Sequence, residues 1–240
     1  MEYPKIETLL NRDEKFKVIP VAWRLPEFAY LKDNRWLYTE KVDGTNVRVH
    51  WDGKVVTFGG RSDTAQMPTF LLTRLQELFT PMRLISTFPP HSMVSRQIRE
   101  DAPIDEAAPA VRPYTEVTLF GEGYGAKIQK GGGNYKPDGV DFVLFDVLVG
   151  RLWLSFGNVI NVAVKLGIQV VPVVELTAAL GGLDGAIIMA RAGIKSAWGD
   201  FPAEGLVVRP LVDLWTRKGE RLIGKIKTKD FLRREDALHS

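Results

Sequence analysis

The chain of 240 residues contains no cysteine, only three histidines and no long apolar segment. Without cysteine it cannot form disulfides, thiolate nucleophiles or cysteine–zinc sites. The histidines are too scattered along the sequence to indicate a histidine metal site. The longest apolar runs, such as residues 142–149 and 170–176, are far shorter than the roughly 20 residues of a membrane-spanning helix. With no signal-peptide pattern at the N-terminus, we expect a cytoplasmic protein with no membrane partner.

Composition and charge are those of an ordinary folded protein. Apolar residues make up 45% and charged residues 25% of the sequence, which argues against disorder as the overall state. The length allows one large domain or two small ones. Lysine and arginine total 32 against 29 aspartates and glutamates, a net charge of +3. This slight excess permits an anionic ligand but does not require one.

Short β-rich runs separated by turn signals alternate with a few helical patterns. Helices are predicted at 68–79, at 158–166 before Gly167, and within 183–192. Strands are predicted at 36–40, 46–51, 55–58, 117–121, 142–149, 205–209 and 221–227, with an edge strand at 168–175 because Pro172 cannot donate a ladder hydrogen bond. The proline-rich stretch 89–113 is interpreted as a surface excursion, with a domain boundary as the alternative.

The first chemical signal is Lys-Val-Asp-Gly-Thr-Asn at residues 41–46. The simplest interpretation is a hairpin, because Asp-Gly is a common turn dipeptide. The alternative is a nucleophilic lysine at a strand end. Lys41 could attack phosphorus only as the free amine, so burial or neighbouring cations would have to disfavour its charge. Asp43 could then orient a metal ion through water, and Asn46 could hydrogen-bond a sugar or phosphate.

Three further segments carry side chains that suit a nucleotide. Arg61 follows a predicted strand and could pair with phosphate, although a lone arginine is more often a solvated surface residue. Glu122 lies between glycines and could accept hydrogen bonds from ribose, although such spacing also occurs in ordinary loops. Alternation along the strand sends Phe142 and Phe145 to opposite faces, so at most one can stack on a nucleobase.

A glutamate and two lysines follow near the end of the sequence. Glu204 starts an apolar strand, where it is either solvated or a ligand for a metal that bridges phosphate oxygens. In the alternating run 222–227, Lys225 and Lys227 point to one face. They form either a solvent-facing basic edge or a cation pair that neutralises charge on an α-phosphate.

The order of these motifs resembles the covalent nucleotidyltransferases, the superfamily of DNA ligases, RNA ligases and mRNA capping guanylyltransferases. The Lys-Val-Asp-Gly-Thr-Asn segment is similar to the type-2 RNA ligases in particular. Later motifs of that family are matched at residues 120–123, 142–146, 204–208 and 225–227. The resemblance covers about residues 36–229. It implies an α+β nucleotidyltransferase (adenylation) domain, with antiparallel β-sheets flanked by helices around a nucleotide-binding cleft.

The resemblance also implies a role for each candidate residue. Lys41 would become linked to AMP, and Lys225 and Lys227 would act at the α-phosphate. The nucleotide would be bound by the backbone at Glu40 beside adenine, by Phe142 stacked on the base, and by Asn46, Arg61, Glu122 and Glu204. Asp43 and Glu204 would support Mg²⁺, or in its place Mn²⁺. RNA would lie over basic residues, for which Lys229, Arg233 and Arg234 are candidates.

We therefore expect a monomeric ATP-dependent RNA ligase that joins 3′-hydroxyl and 5′-phosphate RNA ends through lysyl-AMP and an adenylylated RNA end. Residues 1–240 would form a single nucleotidyltransferase domain on which residues 1–35 pack as an N-terminal extension. The chain ends 13 residues after Lys227, too few for the OB-fold or helical domain of related ligases. We expect either a minimal ligase or a ligase whose nucleic-acid-binding domain is supplied by another protein.

Three alternatives stay open at this point. An ATP-dependent DNA ligase core and a GTP-using capping enzyme share the same motif order, although the Thr-Asn pair and the short C-terminal segment favour neither. A nucleotide- or RNA-binding module without turnover belongs to a different class. It would not need an unhindered lysine at position 41.

Overall fold

The computed structural model describes residues 2–15, 17–90, 116–174 and 182–231. The predicted excursion at 89–113 lies outside these residues from 91 onward, as do residue 175 of the predicted edge strand and the basic candidates Arg233 and Arg234. The chain divides into two compact units. Unit 1 comprises Met1–Glu2, Gly44–Ile128 and Asp138–Val170, and unit 2 comprises Tyr3–Asp43, Gln129–Pro137 and Val171–Ser240. The assignment of the whole chain to one domain stays a prediction.

The described residues contain twelve strands, six α-helices and a short 3-10 helix. The strands are β1 (Glu7–Thr8), β2 (Leu10–Arg12), β3 (Val18–Trp23), β4 (Trp36–Glu40), β5 (Thr45–Trp51), β6 (Val56–Gly59), β7 (Val117–Gly125), β8 (Val140–Val149), β9 (Leu152–Trp153), β10 (Gln169–Val170), β11 (Gly205–Pro210) and β12 (Gly224–Lys227). The helices are α1 (Pro26–Tyr30), α2 (Thr69–Leu78), α3 (Pro81–Thr87), α4 (Gly132–Tyr135), α5 (Phe156–Leu166) and α6 (Gly182–Ala192), and the 3-10 helix is Thr228–Asp230. No helix among these residues is long and apolar enough to cross a membrane.

Unit 1 is built on a six-stranded sheet in the order β10-β8-β7-β5-β6, with β9 also paired to β8. All its pairs are antiparallel except that of the edge strand β10 with β8. Helices α2 and α5 pack against β8, and α3 packs against α5. The core between them buries large side chains such as Trp51, Leu71, Leu119 and Phe142. Burial of this apolar surface is the main stabilising contribution.

Unit 2 contains a four-stranded sheet in the order β1-β12-β11-β4. Strand β1 runs parallel to β12, and the other pairs are antiparallel. Helix α6 packs on β11 and covers a core that includes Leu9, Trp36, Tyr38, Leu183 and Leu206. The hairpin β2–β3 forms a separate two-stranded sheet. Both units therefore combine helices with mainly antiparallel sheets, which confirms the predicted α+β class.

Most predicted elements lie within one or two residues of the observed ones. Helix α2 begins just after Pro68, and α5 ends at Gly167, whose φ of 62° is the left-handed conformation of a helix C-cap. The hairpin alternative for residues 41–46 is wrong, because β4 and β5 belong to different sheets. The strand predicted at 117–121 extends to Gly125 as β7, and each of its residues pairs with β8. The predicted edge strand shortens to β10, and the last strand shortens to β12.

Candidate active site

Three strand ends meet at the start of β11 in unit 2. The Lys41 N–H, directly after β4, donates to the carbonyl of Gly205 at 2.9 Å. On its other side Gly205 is in register with Lys227, the last residue of β12. Because neighbouring strands lie about 4.8 Å apart, this ladder places Lys41 and Lys227 on either side of Glu204, the residue before Gly205.

Gly205 allows this close approach. Its φ of 156° lies in the region that favours glycine, and a Cβ atom there would lie 2.1 Å from the carbonyl oxygen of Ile226. A side chain would therefore push β11 and β12 apart. The glycine of the Glu-Gly motif is required by the ladder that brings the glutamate between the two lysines.

The three side chains form a shared ion pair. The Lys41 Nζ donates to Glu204 Oε2 at 2.5 Å, and the Lys227 Nζ lies against the other carboxylate oxygen, Oε1. The side chains of Lys41, Lys227 and Glu204 are 22%, 21% and 12% exposed. This partial burial strengthens the pairs relative to surface salt bridges and still leaves both amines accessible to a ligand.

The ion pairs control the ionisation of Glu204. Burial by itself would raise the pKa of this carboxyl, but the ammonium groups of Lys41 and Lys227 outweigh it and hold the pKa below its ordinary value of 4.5. A carboxyl whose pKa is lowered on folding stabilises the folded state wherever it is ionised. Glu204 is therefore a negative charge at neutral pH that stabilises the strand junction.

We expect the contribution of Glu204 to stability to disappear in acid. At pH 7 a Glu204→Gln variant should have a free energy of unfolding lower by about 2 kcal/mol, since a charged acceptor is lost. As the pH falls below 4.5 the unfolded chain takes up the proton first, so the stabilisation declines and ends below the lowered pKa. Urea unfolding of both proteins at pH 7, 5 and 4 measures this. A difference that stays constant or grows toward acid pH contradicts the assignment.

Lys225 and Lys227 lie on one face of β12, as the alternation predicts. The burial pattern of this strand alternates, with both lysines on the more exposed face. The strand is paired on both sides, by β1 and by β11, so the alternative of a basic edge strand is wrong. Lys227 is also the N-cap residue of the 3-10 helix, and its N–H donates to Asp230 Oδ2 at 3.3 Å. Asp230 is held by two hydrogen bonds from Arg12, at 2.8 and 2.7 Å.

Asp43 is the second carboxylate of this region. Burial, and then the negative charge of Glu204, raise its pKa, while Lys41, Lys227 and Lys229 act in the opposite direction. The charge of Glu204 thus disfavours ionisation of Asp43, and a cation bound by both carboxylates would relieve that repulsion. Among the described residues no group of three or more histidine, aspartate or glutamate side chains could hold a metal ion. A carboxylate pair still fits Mg²⁺, which commonly uses one or two carboxylates and completes its shell with water and phosphate oxygens.

Tyr135 and Glu40 hold the backbone on both sides of Lys41. The N–H of Asp43 donates to the Tyr135 hydroxyl at 3.2 Å, and burial raises the pKa of that phenol to about 12, so it stays neutral. The Glu40 carboxylate, 2% exposed, accepts from Ser196 Oγ at 2.7 Å and from the N–H of Ala197 at 2.8 Å. Burial raises the pKa of Glu40, which these two hydrogen bonds oppose.

The Glu40 side chain is therefore structural, whereas the prediction concerned its backbone. The N–H of Glu40 donates to the carbonyl of Pro172 at 2.9 Å. Ser196, Tyr135 and the neighbouring Trp198, whose ring lies edge-on to Tyr135 at 5.4 Å, were missed from the sequence. These residues lie outside the motifs that the sequence analysis used. Only Tyr135, an aromatic residue that follows glycines in the segment Gly-Gly-Asn-Tyr, stands out in the sequence.

Asn46 and Glu122 are brought together in unit 1. They occupy directly paired positions of β5 and β7, where side chains of opposite residues are neighbours. The Oδ1 atom of Asn46 is buried and has no hydrogen-bond partner among the described residues. A buried unpaired acceptor is costly in the free protein, and a ligand that brings a donor would satisfy it. These two residues can therefore hydrogen-bond a polar ligand from adjacent strands.

Arg61 lies in an exposed turn after β6 that a buried arginine supports. Arg48, 7% exposed, donates from Nε to the carbonyl of Gly60 at 2.7 Å and from Nη2 to Asp63 Oδ1 at 2.6 Å. These bonds reach both sides of Arg61 and fix the turn that carries it. Sequence reasoning did not single out Arg48, because one charged residue within an apolar strand gives little signal.

Phe142 is part of the core of unit 1, which corrects its predicted role. Its ring is 1% exposed and packs edge-on against Phe79 at 5.1 Å. It also covers Gly121, where a Cβ atom would lie 2.1 Å from the ring. The register between β7 and β8 shifts so that Phe145 is an extra residue of a β-bulge, which re-aims a side chain. Phe145 is the half-buried member of the pair and lies outside both hydrophobic cores.

Truncation of Phe142 should therefore affect stability. We expect Phe142→Ala to lower the free energy of unfolding by about 3–5 kcal/mol, as for other buried phenylalanines. Phe142→Leu should cost less and should leave the apparent affinity for ATP within about twofold of the wild type. Thermal unfolding and nucleotide titration measure both. A tenfold loss of ATP affinity in a stably folded Phe142→Leu protein would restore the stacking role.

A protein-family model described as RNA ligase matches residues 34–227, from just before β4 to the end of β12. The chain belongs to the RNA ligase family. The matched segment contains the candidate catalytic, nucleotide-binding and metal-binding residues, from Glu40 to Lys227. No curated protein matches the sequence.

Solved structures of an RNA ligase from Naegleria gruberi have a fold similar to that of this chain. A variant with AMP and Mn has 18% identity and a TM-score of 0.60, covering 96% of this chain and 58% of its own. A variant with ATP and Mn has 18% identity and a TM-score of 0.58, covering 94% and 57%. The complex with PPi has 18% identity and a TM-score of 0.58, covering 98% and 64%. The chain thus spans less than two thirds of the length of these relatives, and at this identity the similarity concerns the fold.

Proposed function

We propose that this protein is an ATP-dependent RNA ligase that works through a covalent lysyl-AMP intermediate. The observation that carries the proposal is the cluster of Lys41, Glu204 and Lys227 at three adjoining strand ends. It places a candidate nucleophile beside a second cation and a carboxylate. Membership of the RNA ligase family and the ATP, AMP and PPi complexes of the similar Naegleria protein support the same reaction.

In the first step the Lys41 Nζ attacks the α-phosphorus of ATP. A nitrogen–phosphorus bond forms, the bond to the bridging oxygen breaks, and pyrophosphate leaves. The amine is an ion-pair partner of Glu204 in the ligand-free protein, so it must leave that pair and lose a proton before it can attack. Lys225 and Lys227, on one face of β12, supply positive charge for the phosphate oxygens.

The nucleoside is assigned to residues of unit 1 with one change from the sequence prediction. Asn46 and Glu122 would hydrogen-bond the sugar, and Arg61 would contact the sugar or phosphates. Phe145 replaces Phe142 as the ring that stacks on adenine, because a ring that is 1% exposed cannot meet a ligand. The backbone at Glu40 would lie near the adenine edge.

Asp43 and Glu204 would hold the divalent cation, Mg²⁺ or Mn²⁺, directly or through water. When bound, the metal supplies positive charge that the phosphate oxygens need during transfer. The similar Naegleria protein is seen with ATP and Mn. Glu204 would then change partners between the lysines and the metal.

Two further transfers complete the proposed reaction. AMP passes from Lys41 to a 5′-phosphate on an RNA end, so that the nitrogen–phosphorus bond breaks and a pyrophosphate linkage forms. A 3′-hydroxyl then attacks the RNA phosphorus, which forms the phosphodiester and releases AMP. Both steps depend mainly on in-line positioning and charge neutralisation.

Incubation with labelled ATP or GTP, followed by intact mass spectrometry, tests the first step. We expect a gain of one AMP from ATP with Mg²⁺ and none of GMP from GTP; label from GTP alone would indicate a capping-type enzyme. If no adduct forms and the Lys41→Ala protein binds ATP normally, the protein is a binding module. Sealing assays on matched nicked RNA, nicked DNA and single strands then separate RNA ligation from DNA ligation.

A further inference from the structure

The segment between β11 and β12 folds into a small hairpin, which we call the 211–221 hairpin. Trp215 and Arg221 are bridge partners in its stem, and the Leu222 N–H donates to the Leu214 carbonyl at 2.8 Å. The Thr216 N–H donates to the Glu220 carbonyl at 2.8 Å and closes the turn. The hairpin is therefore a defined structure.

The tip of this hairpin is rigidly built. Gly219, with φ of 77°, occupies the left-handed position that follows a tight turn in three-residue hairpin loops. Thr216 Oγ1 accepts from the N–H groups of Lys218 and Glu220, both at 3.3 Å. In the stem, Arg221 pairs with Asp213 at 3.0 Å, and the side chain of Arg221 is only 3% exposed. A surface held in this way loses little conformational entropy when it binds a partner.

The hairpin exposes apolar side chains despite its ordered backbone. Trp215 is 53% exposed, and Leu211 and Val212 are 47% and 74% exposed. Tryptophan is seldom left half in solvent without a reason, since its burial contributes strongly to stability. The core of unit 2 takes up Leu214 from the same segment, so Trp215 is the side chain directed outward.

Positive charge accompanies the exposed ring. Arg217 and Lys218 are exposed at the tip of the hairpin. Arg35 is also exposed, and its backbone carbonyl accepts a hydrogen bond from the N–H of Leu211 at the base of the hairpin. Glu220 is the exposed anion of the hairpin, and Asp213 is already neutralised by Arg221. The three cations outnumber the one unpaired anion. An exposed aromatic ring together with exposed cations is the combination with which proteins bind single-stranded nucleic acid.

We propose that the 211–221 hairpin is a contact surface for single-stranded RNA, with a base stacked on Trp215 and phosphates paired with Arg217 and Lys218. The proposal rests on the proposed ligase function and names the part of the protein that would hold the strand away from the reacting end. Apolar docking of another protein is disfavoured, because exposed cations accompany the ring in the same hairpin and favour an anionic partner.

The hairpin is connected directly to the proposed catalytic cluster. It joins the end of β11 to the start of β12, while Glu204 precedes β11 and Lys227 ends β12. The six residues of β11 span about 20 Å at roughly 3.3 Å per residue. Single-strand binding sites cover about 4–16 nucleotides, so one strand can reach both ends of these two β-strands.

Fluorescence anisotropy with the full chain and a single-stranded RNA of about 12 nucleotides tests the proposal. We expect Trp215→Ala to weaken binding by about 5- to 150-fold, the range for loss of one stacked base, and Trp215→Phe to recover most of the affinity. The double variant Arg217→Gln, Lys218→Gln should lower the slope of log affinity against log salt by about 1.4, or about 0.7 for each phosphate contact.

Two matched controls and one separate readout make the result decisive. Phe70→Ala removes an aromatic ring that is 43% exposed on α2, and Lys165→Gln removes an exposed lysine in the last turn of α5; neither should change RNA affinity. AMP transfer to the protein from ATP needs no RNA, so the hairpin variants should retain it.

Three results overturn the proposal. RNA affinity that is unchanged in hairpin variants that still take up AMP rules out the contact. Equal losses in the Phe70 and Lys165 controls show that binding is not local. Sedimentation that detects self-association lost in Trp215→Ala, with RNA affinity intact, assigns the hairpin to a second copy of the chain. If the wild type takes up no AMP, the ligase function fails, while the anisotropy series still judges the hairpin by itself.

Discussion

Replacement of Lys41 by alanine should abolish the transfer of AMP to the protein. The nitrogen that accepts the nucleotide is removed, and Lys227, the other lysine seen paired with Glu204, comes from a different strand, β12. We expect adduct formation to fall at least about 1,000-fold, to below detection. Intact mass spectrometry after incubation with ATP and Mg²⁺ measures this.

The Lys41→Ala protein should nevertheless fold and bind ATP. Glu204 keeps its ion pair with Lys227, so the strand junction retains a counter-charge for the carboxylate. Lys41→Arg is the matched control, since it preserves the positive charge but offers a guanidinium that does not lose its proton at neutral pH. Both variants should lack the adduct. An adduct that persists in either one would place the nucleophile elsewhere.

Removal of the Glu204 carboxylate should have the second largest effect. In Glu204→Ala the ammonium groups of Lys41 and Lys227 lose their common partner and repel each other across the gap. The proposed metal also loses one of its two carboxylates. We expect AMP transfer to fall by about 100- to 1,000-fold, the usual loss when one preorganised electrostatic group is removed from an active site. Adduct formation under single-turnover conditions measures the rate.

Two further variants separate charge from shape at this position. Glu204→Gln keeps the size of the side chain without the charge, and we expect it to lose nearly as much activity as the alanine variant. Glu77→Gln makes the same chemical change at an exposed residue of α2, which pairs with Arg74, and should leave AMP transfer unchanged. If Glu204→Gln transferred AMP at the wild-type rate, the carboxylate would be needed for structure alone.

The ion pair gives the proposed enzyme a defined resting state. A free lysine beside a triphosphate would be drawn to its oxygens, whereas here Glu204 holds the amine in place before the nucleotide arrives. The same carboxylate is the proposed metal ligand. Glu204 would hold that cation together with Asp43, and the cation would supply positive charge for the phosphate oxygens beside Lys41. Attack by Lys41 therefore requires that the amine leave its ion pair with Glu204.

The sequence by itself determined the order of the motifs and the family to which the chain belongs. The motifs from Lys41 to Lys227 lie within the segment that the family model matches, and the alternation of residues 222–227 placed both lysines on one face. The placement of the two lysines succeeds because strand periodicity is a local property of the sequence. The α+β class also followed, since hydrophobic patterns of period two and of helical period are visible in the sequence.

The tertiary structure decided which residues meet. Only the ladder of β4, β11 and β12 shows that Glu204 binds both Lys41 and Lys227, although residues 41 and 204 are far apart along the chain. Alternation left open which of Phe142 and Phe145 could stack on a base; the family resemblance implied Phe142, and packing in the core of unit 1 buries that ring. Register shifts, long-range ion pairs and supports such as Tyr135 depend on packing between distant segments. A local sequence pattern does not reveal that packing, because the packing is selected by the free energy of burying distant segments against each other in the folded chain.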